Sequence, residues 1–278
     1  MYEVEDNKLE LKHGSINEGL IAIASGKGGV GKSTVTVNLA VALNQLDKNV
    51  GIIDADVHGF SVPRILGLKE EANALNEQEI IPPHTDDGIK LISMGTFVNE
   101  DNPVIWRGPI LNKALEQFLQ DVHWGGLDYL VLDLPPGTGD MSINIMQRLP
   151  HAETIVVTTP QITATSVAGR IGKMAEKMDS EIIGVIENMS YYVCPDCGYK
   201  DYIFGRGGGK ALADKLGTQL LGELPLLTSI RESGDEGKSM ITEKPDSVVS
   251  REFLKIGKNL INSKHYFDPD KKPIINKQ

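Results

Sequence analysis

Long apolar runs, cysteine, positive charge and repetition are all in short supply in this chain of 278 residues. No stretch approaches the roughly 18 to 20 uninterrupted apolar residues that a membrane span requires. The N-terminal MYEVEDNKLELKHGS is mixed and acidic, unlike a signal or transit peptide, and a cytoplasmic location is expected. Lysine and arginine number 28 against 38 aspartates and glutamates, a net charge of −10, which disfavours nonspecific binding to nucleic acid or acidic membranes. Neither an internal repeat nor a low-complexity segment is present. Only two cysteines occur, Cys194 and Cys197. In a reducing compartment a C-x-x-C pair serves as a metal or redox site rather than a structural disulfide.

What is present is ordinary for a soluble globular protein: 40% hydrophobic and 24% charged residues,. Short apolar runs alternate with longer amphipathic stretches, which predicts an α/β fold, a mostly parallel sheet with helices on both faces. Strands are expected at Leu20–Ala24, Val50–Asp54, Lys90–Met94, Tyr129–Asp133, Thr154–Thr158, Ile182–Glu187 and Gln219–Leu221, each near-continuously apolar as in a sheet buried on both faces. Helices are expected at Lys32–Leu46, Ile110–Val122, Met141–Arg148, Thr165–Met178, Gly209–Lys215 and Val248–Asn262. A surface excursion at Leu68–Gly88 and an insertion at about 189–209 interrupt the rhythm. The organisation expected is a tail over 1–18, one domain over 19–262 and a tail over 263–278.

Gly26-Lys27-Gly28-Gly29-Val30-Gly31-Lys32-Ser33 fits G-x-x-x-x-G-K-[ST] in full. It lies between an apolar strand and an amphipathic helix, the context in which the motif has meaning. Glycines let successive N–H groups turn inward around phosphate oxygens, and the helix N-terminus that follows adds positive potential. Lys32 is expected to reach the β- and γ-phosphates of ATP and Ser33 to bind Mg²⁺. Asp133 ends the run YLVLD, at the sheet edge where α/β folds place ligands, and is the candidate to hold Mg²⁺ through water. Asp54 and Asp56 end VGIIDAD, where a carboxylate serves the metal or the attacking water. A single strand-end aspartate is as readily a turn residue or cap; three in one P-loop chain favour chemistry.

Lys27, an extra lysine inside KGGVGKST, together with DADVHG and VLDLPPGTGD, resembles the deviant Walker A group of ATPases. That group includes the septum-site ATPase MinD, the nitrogenase iron protein and the Mrp-type iron–sulfur carriers. WRGP (Trp106–Pro109), TTPQ (Thr158–Gln161), GVIENMS (Gly184–Ser190), IRESGDEGK (Ile230–Lys238) and CPDCG look most like the Mrp (ApbC-like) carriers, and the resemblance spans about Ile21 to Met240. It implies a SIMIBI-type P-loop fold in which Lys27 reaches the partner's phosphates across a nucleotide-sandwich homodimer. It further implies that Asp56 positions the hydrolytic water, that Asp54 is the metal-side carboxylate, and that nucleotide contacts run on to Thr34. Asn188 matches the adenine-reading position, and Pro225–Arg231 the segment flanking the base. One departure is Phe60, which stands where the family's DAD-x-x-GPS carries proline, and leaves the switch backbone less constrained.

Two cysteines cannot supply the four thiolates of a Cys₄ cluster, but a twofold dimer can. One bridging cluster per homodimer, [4Fe–4S], is therefore expected, and the Mrp resemblance implies the same. A zinc knuckle shared across the dimer, a dithiol redox pair and inert thiols are the other readings of these residues. His58 beside the switch aspartates reads as a solvated loop histidine. The apolar residues Phe253, Ile256 and Leu260 near the C-terminus read as packing on the sheet rather than on a membrane. The function expected is a slow homodimeric ATPase that carries an iron–sulfur cluster to apoproteins, with no nucleic acid or membrane partner. A MinD-like positioning ATPase is the alternative; a nitrogenase-type reductase would carry its cysteines elsewhere.

Overall fold

The computed structural model describes residues 11–56, 59, 61–68, 72–76, 79–97, 108–149, 152–161, 170–172, 174–175, 180–194 and 196–262. Strands β1 (Gly14–Ser25), β2 (Val50–Asp54), β5 (Lys90–Ser93), β6 (Gly125–Asp133), β7 (Glu153–Thr158), β8 (Ile182–Val193) and β10 (Leu220–Leu226) form one sheet in the order β10-β8-β7-β1-β6-β2-β5. Every neighbouring pair along that path is parallel. A short β9 (Lys200–Asp201) pairs antiparallel with the far end of β8, and β3 (Asn73–Asn76) with β4 (Glu79–Ile81) forms a separate hairpin. That hairpin occupies the expected surface excursion.

The continuous aliphatic runs follow from this burial. Ile21, Ile23, Ile52, Val131, Ile155 and Val157 point to one face and meet α1 (Lys32–Asn44) and α8 (Val248–Asn262). Leu20, Ala22, Ile53, Leu130 and Leu132 point to the other and meet α3 (Gly108–Gln120) and α4 (Asp140–Gln147), with Trp124 and Phe118 at the centre. Helix α1 is buried from Val35 to Leu43 on all sides because it lies between sheet and α8, so its sequence shows almost no polar stripe. Each fully buried Leu or Val there stabilises the fold by roughly 1.5–3 kcal/mol. Its polar Asn38 is satisfied by the Thr34 carbonyl at 2.8 Å. Val249, Phe253, Ile256 and Leu260 of α8 are all buried, as the spacing predicted, so the apolar face of that helix is spent on the core.

Several elements depart from the sequence expectation. Strand β1 pairs with β6 from Gly14 onward, so residues 14–18 belong to the sheet and not to a tail. β8 continues six residues past Glu187, and β10 runs through Pro225. Pro225 is tolerated because β10 lies at the sheet edge, where a missing N–H costs no second ladder,. Helices α2 (Val62–Ile65), α6 (Thr228–Glu236) and α7 (Met240–Glu243) were not expected; α2 and α7 are single turns, and α6 (TSIRESGDE) buries no residue, so no apolar period announces it. α5 (Gly208–Leu216) and α8 match. His58, Phe60, Trp106, Arg107, Pro195, the segment 263–278 and most of the expected helix Thr165–Met178 lie outside the described residues.

Candidate functional site

The carboxyl end of β1 opens into the loop Gly26–Gly31, beside the carboxyl ends of β6 and β2. Gly31 has φ +81° and its missing Cβ leaves room for the Asn188 amide nitrogen; any other residue there would be both strained and in collision. Helix α1 then begins at Lys32 with no side-chain cap, leaving first-turn N–H groups for an anion.

Four groups converge at this edge. Lys32 Nζ lies 2.7 Å from Asp133 Oδ1 and 3.9 Å from Asp56 Oδ2. Asp133 is fully buried and accepts hydrogen bonds from Ser33 Oγ and Thr36 Oγ1, each at 2.6 Å. Asp54, its neighbour across the β2–β6 register, is also fully buried. It accepts from Ser93 Oγ at 3.1 Å and from the Asp56 N–H at 3.2 Å. Burial, with the Asp133 charge second, pushes the Asp54 carboxyl up to about 8, against the opposing pull of those two hydrogen bonds and of Lys32. The Asp133 and Asp56 carboxylates around one ammonium leave excess negative charge beside the Asp54 carboxyl, which fits a bound divalent cation,. Thr36 and Ser93 were not singled out from sequence. Thr36 lies one helical turn beyond Ser33, a spacing that signals a shared face; Ser93 carries no comparable mark.

A second wall comes from β8. Asn188 Nδ2 donates to the Val30 carbonyl at 2.9 Å, tying strand to loop. It is aimed there by a bulge: Met189 adopts φ +58°, and the β8–β10 register slips between Glu223 and Pro225. A non-glycine residue at positive φ persists only where its surroundings hold it. Here the buried Ser190 Oγ lies 2.9 Å from the Glu187 carbonyl and 2.8 Å from Glu187 Oε1. Beside Asn188 opens a cavity of about 330 Å³ lined by Gly31, Thr34, Pro225, Leu227 and Arg231, the size and mainly apolar character of a nucleobase site. Arg231 and Arg64 share Asp235 at 2.8 and 3.0 Å, joining α6 to α2.

Lys27 stands apart from this cluster. Its exposed ammonium donates to Gln161 Oε1 at 2.8 Å. The adjoining Pro160 carbonyl occupies the space a Cβ at Gly208 would take, and the Gly209 N–H donates to Glu187 Oε2 at 2.5 Å. The glycine cluster thus allows α5 to start flush against the Thr158–Gln161 segment and β8.

The cysteines cap the β8–β9 ribbon. Tyr192 pairs with Asp201 and Val193 with Lys200; between them the Cys194 N–H donates to the Tyr199 carbonyl and the Gly198 N–H to the Cys194 carbonyl, both at 2.9 Å. Cys197 is exposed and both thiols are free. Backbone N–H groups of Cys197 and Asp196 and the Cys197 thiol hold the Cys194 thiol below its ordinary range, as suits a thiolate ligand. Lys200 Nζ sits 4.2 Å above the Tyr191 ring, Arg206 lies 3.5 Å above Tyr202, and the two rings are 6.2 Å apart. Cation–π contacts of this kind stiffen the ribbon. Tyr199 (67% exposed) and Ile203 (56%) flank the turn with apolar surface in contact with solvent.

Residues 17–261 match the ParA family model described as NUBPL iron-transfer P-loop NTPase. An iron–sulfur cluster carrier protein of Mycobacterium leprae is 49% identical over 244 residues, 86% of this chain and 63% of that protein. The chain therefore spans less than two thirds of the length of that relative. One of Methanocaldococcus jannaschii is 46% identical over 261 residues, 93% of this chain and 87% of that protein. A solved nucleotide-binding protein of Archaeoglobus fulgidus, in complex with ADP, superimposes with a TM-score of 0.73 at 36% identity, covering 85% of this chain and 91% of that one.

Proposed function

This chain belongs to the NUBPL iron-transfer family of P-loop NTPases, and on that basis we propose that it is a homodimeric ATPase that holds an iron–sulfur cluster between two subunits and passes it to apoproteins. The observation that carries the reading is the course of β8. One strand bears Asn188 against the nucleotide loop and ends at Val193, directly before Cys194, which lies six residues and roughly 20 Å beyond Asn188. Nucleotide loop and thiol pair are linked by one continuous strand.

In the proposed cycle the nucleobase occupies the cavity between Asn188 and Arg231. Ser33, with the Asp54 and Asp133 carboxyls behind it, would hold Mg²⁺, which would supply charge neutralisation at the phosphate oxygens. Lys32 leaves Asp133 for the β- and γ-phosphates, and Asp56 orients the attacking water and accepts its proton. Lys27 gives up Gln161 to reach the phosphates of the partner subunit, which makes closure of the dimer depend on ATP. Release of Gln161 frees the segment whose Pro160 carbonyl abuts Gly208, and so moves the base of the cysteine ribbon. Two thiolates from each subunit complete a [4Fe–4S] ligand set at the twofold axis, with Tyr199 and Ile203 as apolar rim. Change of dimer geometry on hydrolysis weakens that set and frees the cargo.

Anaerobic reconstitution with iron and sulfide tests the proposal. Four iron atoms per two chains and the broad visible absorption of a cluster are expected, both lost in Cys197→Ala. A wild-type protein that stays colourless and binds only zinc would overturn the carrier reading.

A further inference from the structure

Far from both sites, three segments meet at the amino end of β1. The His13 carbonyl accepts from the Gly125 N–H at 3.0 Å, and the Lys12 N–H donates to the Leu119 carbonyl at 3.2 Å. The Ile80 N–H donates to the Asp121 carbonyl at 2.8 Å, and the His123 N–H returns to the Ile80 carbonyl at 2.9 Å. These backbone bonds lock the residues before β1, strand β4 at Ile80 and the α3–β6 link side by side. They bring together His13, Glu79 and His123.

The His13 and His123 rings stack with centroids 4.3 Å apart and planes 13° from parallel. His123 Nε2 lies 3.6 Å from Glu79 Oε2, and one ligand atom from each of the three residues falls within 4.8 Å of the others. Both Nε2 atoms are shielded from solvent, and neither has a hydrogen-bond partner. A buried polar nitrogen left so costs about 1–3 kcal/mol, and two facing the same spot require a reason.

We propose that His13, Glu79 and His123 form a binding site for a divalent transition-metal ion, zinc by preference. Two imidazoles and one carboxylate are a ligand set suited to zinc, with water at the fourth position. Ligand atoms on a tetrahedral centre stand about 3.3 Å apart, closer than the 4.8 Å within which the three lie, so binding draws them together and out of the ring stack. The site lies at the opposite end of β1 from the phosphate loop, roughly 35 Å away along the strand. Its role is to fasten the β3–β4 hairpin and the start of β1 to the α3–β6 link. It takes no part in the nucleotide or cluster chemistry and does not rest on the carrier reading.

The test uses the full chain with Cys194→Ser and Cys197→Ser, so that thiolates do not compete, stripped with chelator and titrated with Co²⁺ without nucleotide. One equivalent per chain is expected, with visible d–d bands and no thiolate charge-transfer absorption. The Tm rises by several degrees at saturation, because only the folded chain holds the site. His13→Gln, Glu79→Gln and His123→Gln in that background each weaken uptake more than tenfold. Circular dichroism and the metal-free Tm of each variant separate loss of a ligand from loss of the fold. A parent that takes up neither Co²⁺ nor Zn²⁺ at micromolar concentration overturns the site. So does uptake that His13→Gln and Glu79→Gln both leave unchanged.

Discussion

The phosphate end and the cysteine ribbon differ in how much of their chemistry one chain encloses. Around Lys32 the groups are buried and face opposite charge or a donor: Asp133 has three partners, and Asp54 has two hydrogen bonds. Around Cys194 and Cys197 the thiols stand at a solvent-exposed tip with apolar side chains beside them. Buried charge demands partners from its own chain, because an unpaired ion in a low dielectric is costly. A thiolate pair in water carries no such demand, and its remaining ligands can come from a second molecule. The contrast explains why one site is preformed and the other is proposed to await dimerisation.

The largest expected effect isolates the first site. Lys32→Gln keeps a donor for Asp133, so the fold should survive, but it removes the phosphate ammonium. ATP turnover is expected to fall by about 100-fold or more, while reconstituted iron per chain stays unchanged. Loss of both would show that the two sites are not separable as drawn. Cys194→Ser is the reciprocal experiment: iron binding on reconstitution should vanish and nucleotide affinity, read by calorimetry, should stay within about twofold.

Gly208→Ala sharpens the connection between the regions. The added methyl meets the Pro160 carbonyl, and the strain is expected to lower stability by about 1–3 kcal/mol. Cluster release should lose its dependence on nucleotide before ATP binding is affected. The exposed neighbour Lys210→Ala is the control, expected to be neutral.

The smallest effect lies at the other end of the sheet. Burial, with the Glu181 charge second, pushes the Glu153 carboxyl up to about 8. The folded chain therefore holds a proton that the unfolded chain releases above about pH 4.5, and stability falls as pH rises from there to about 8. Glu153→Gln removes that slope. Thermal melts should show no gain over wild type below pH 4.5 and a gain of order 1 kcal/mol at pH 8.5, discounted for the solvent that reaches the carboxyl.

Legibility in the sequence followed the range of the interactions. β2 and α8 were readable to the residue, because burial on both faces or on one stripe writes an unmistakable pattern,. Asp133, Asp54 and the loop Gly26–Ser33 were readable for the same reason: each follows such a strand directly. The end of β8 was not. Asn188-Met189-Ser190 looks like a break, and only Glu187 and Ser190 together hold Met189 at positive φ. Pro225 lies beyond the expected strand Gln219–Leu221 and proved to be an edge-strand residue. Ser93 became a partner of Asp54 only through the β2–β5 register.

The sequence by itself determined the parallel α/β architecture, the phosphate loop with its paired lysines, and a C-x-x-C pair. These arise from local period, local turn chemistry and residue type. Tertiary structure alone decided that Asn188 anchors the loop, that Asp54 is pushed toward its neutral form, and that Pro160 meets Gly208 beneath the cysteine ribbon. It also decided that His13, Glu79 and His123 share one spot. Such meetings depend on register and on which strand ends lie together, and these are settled only when the whole sheet packs.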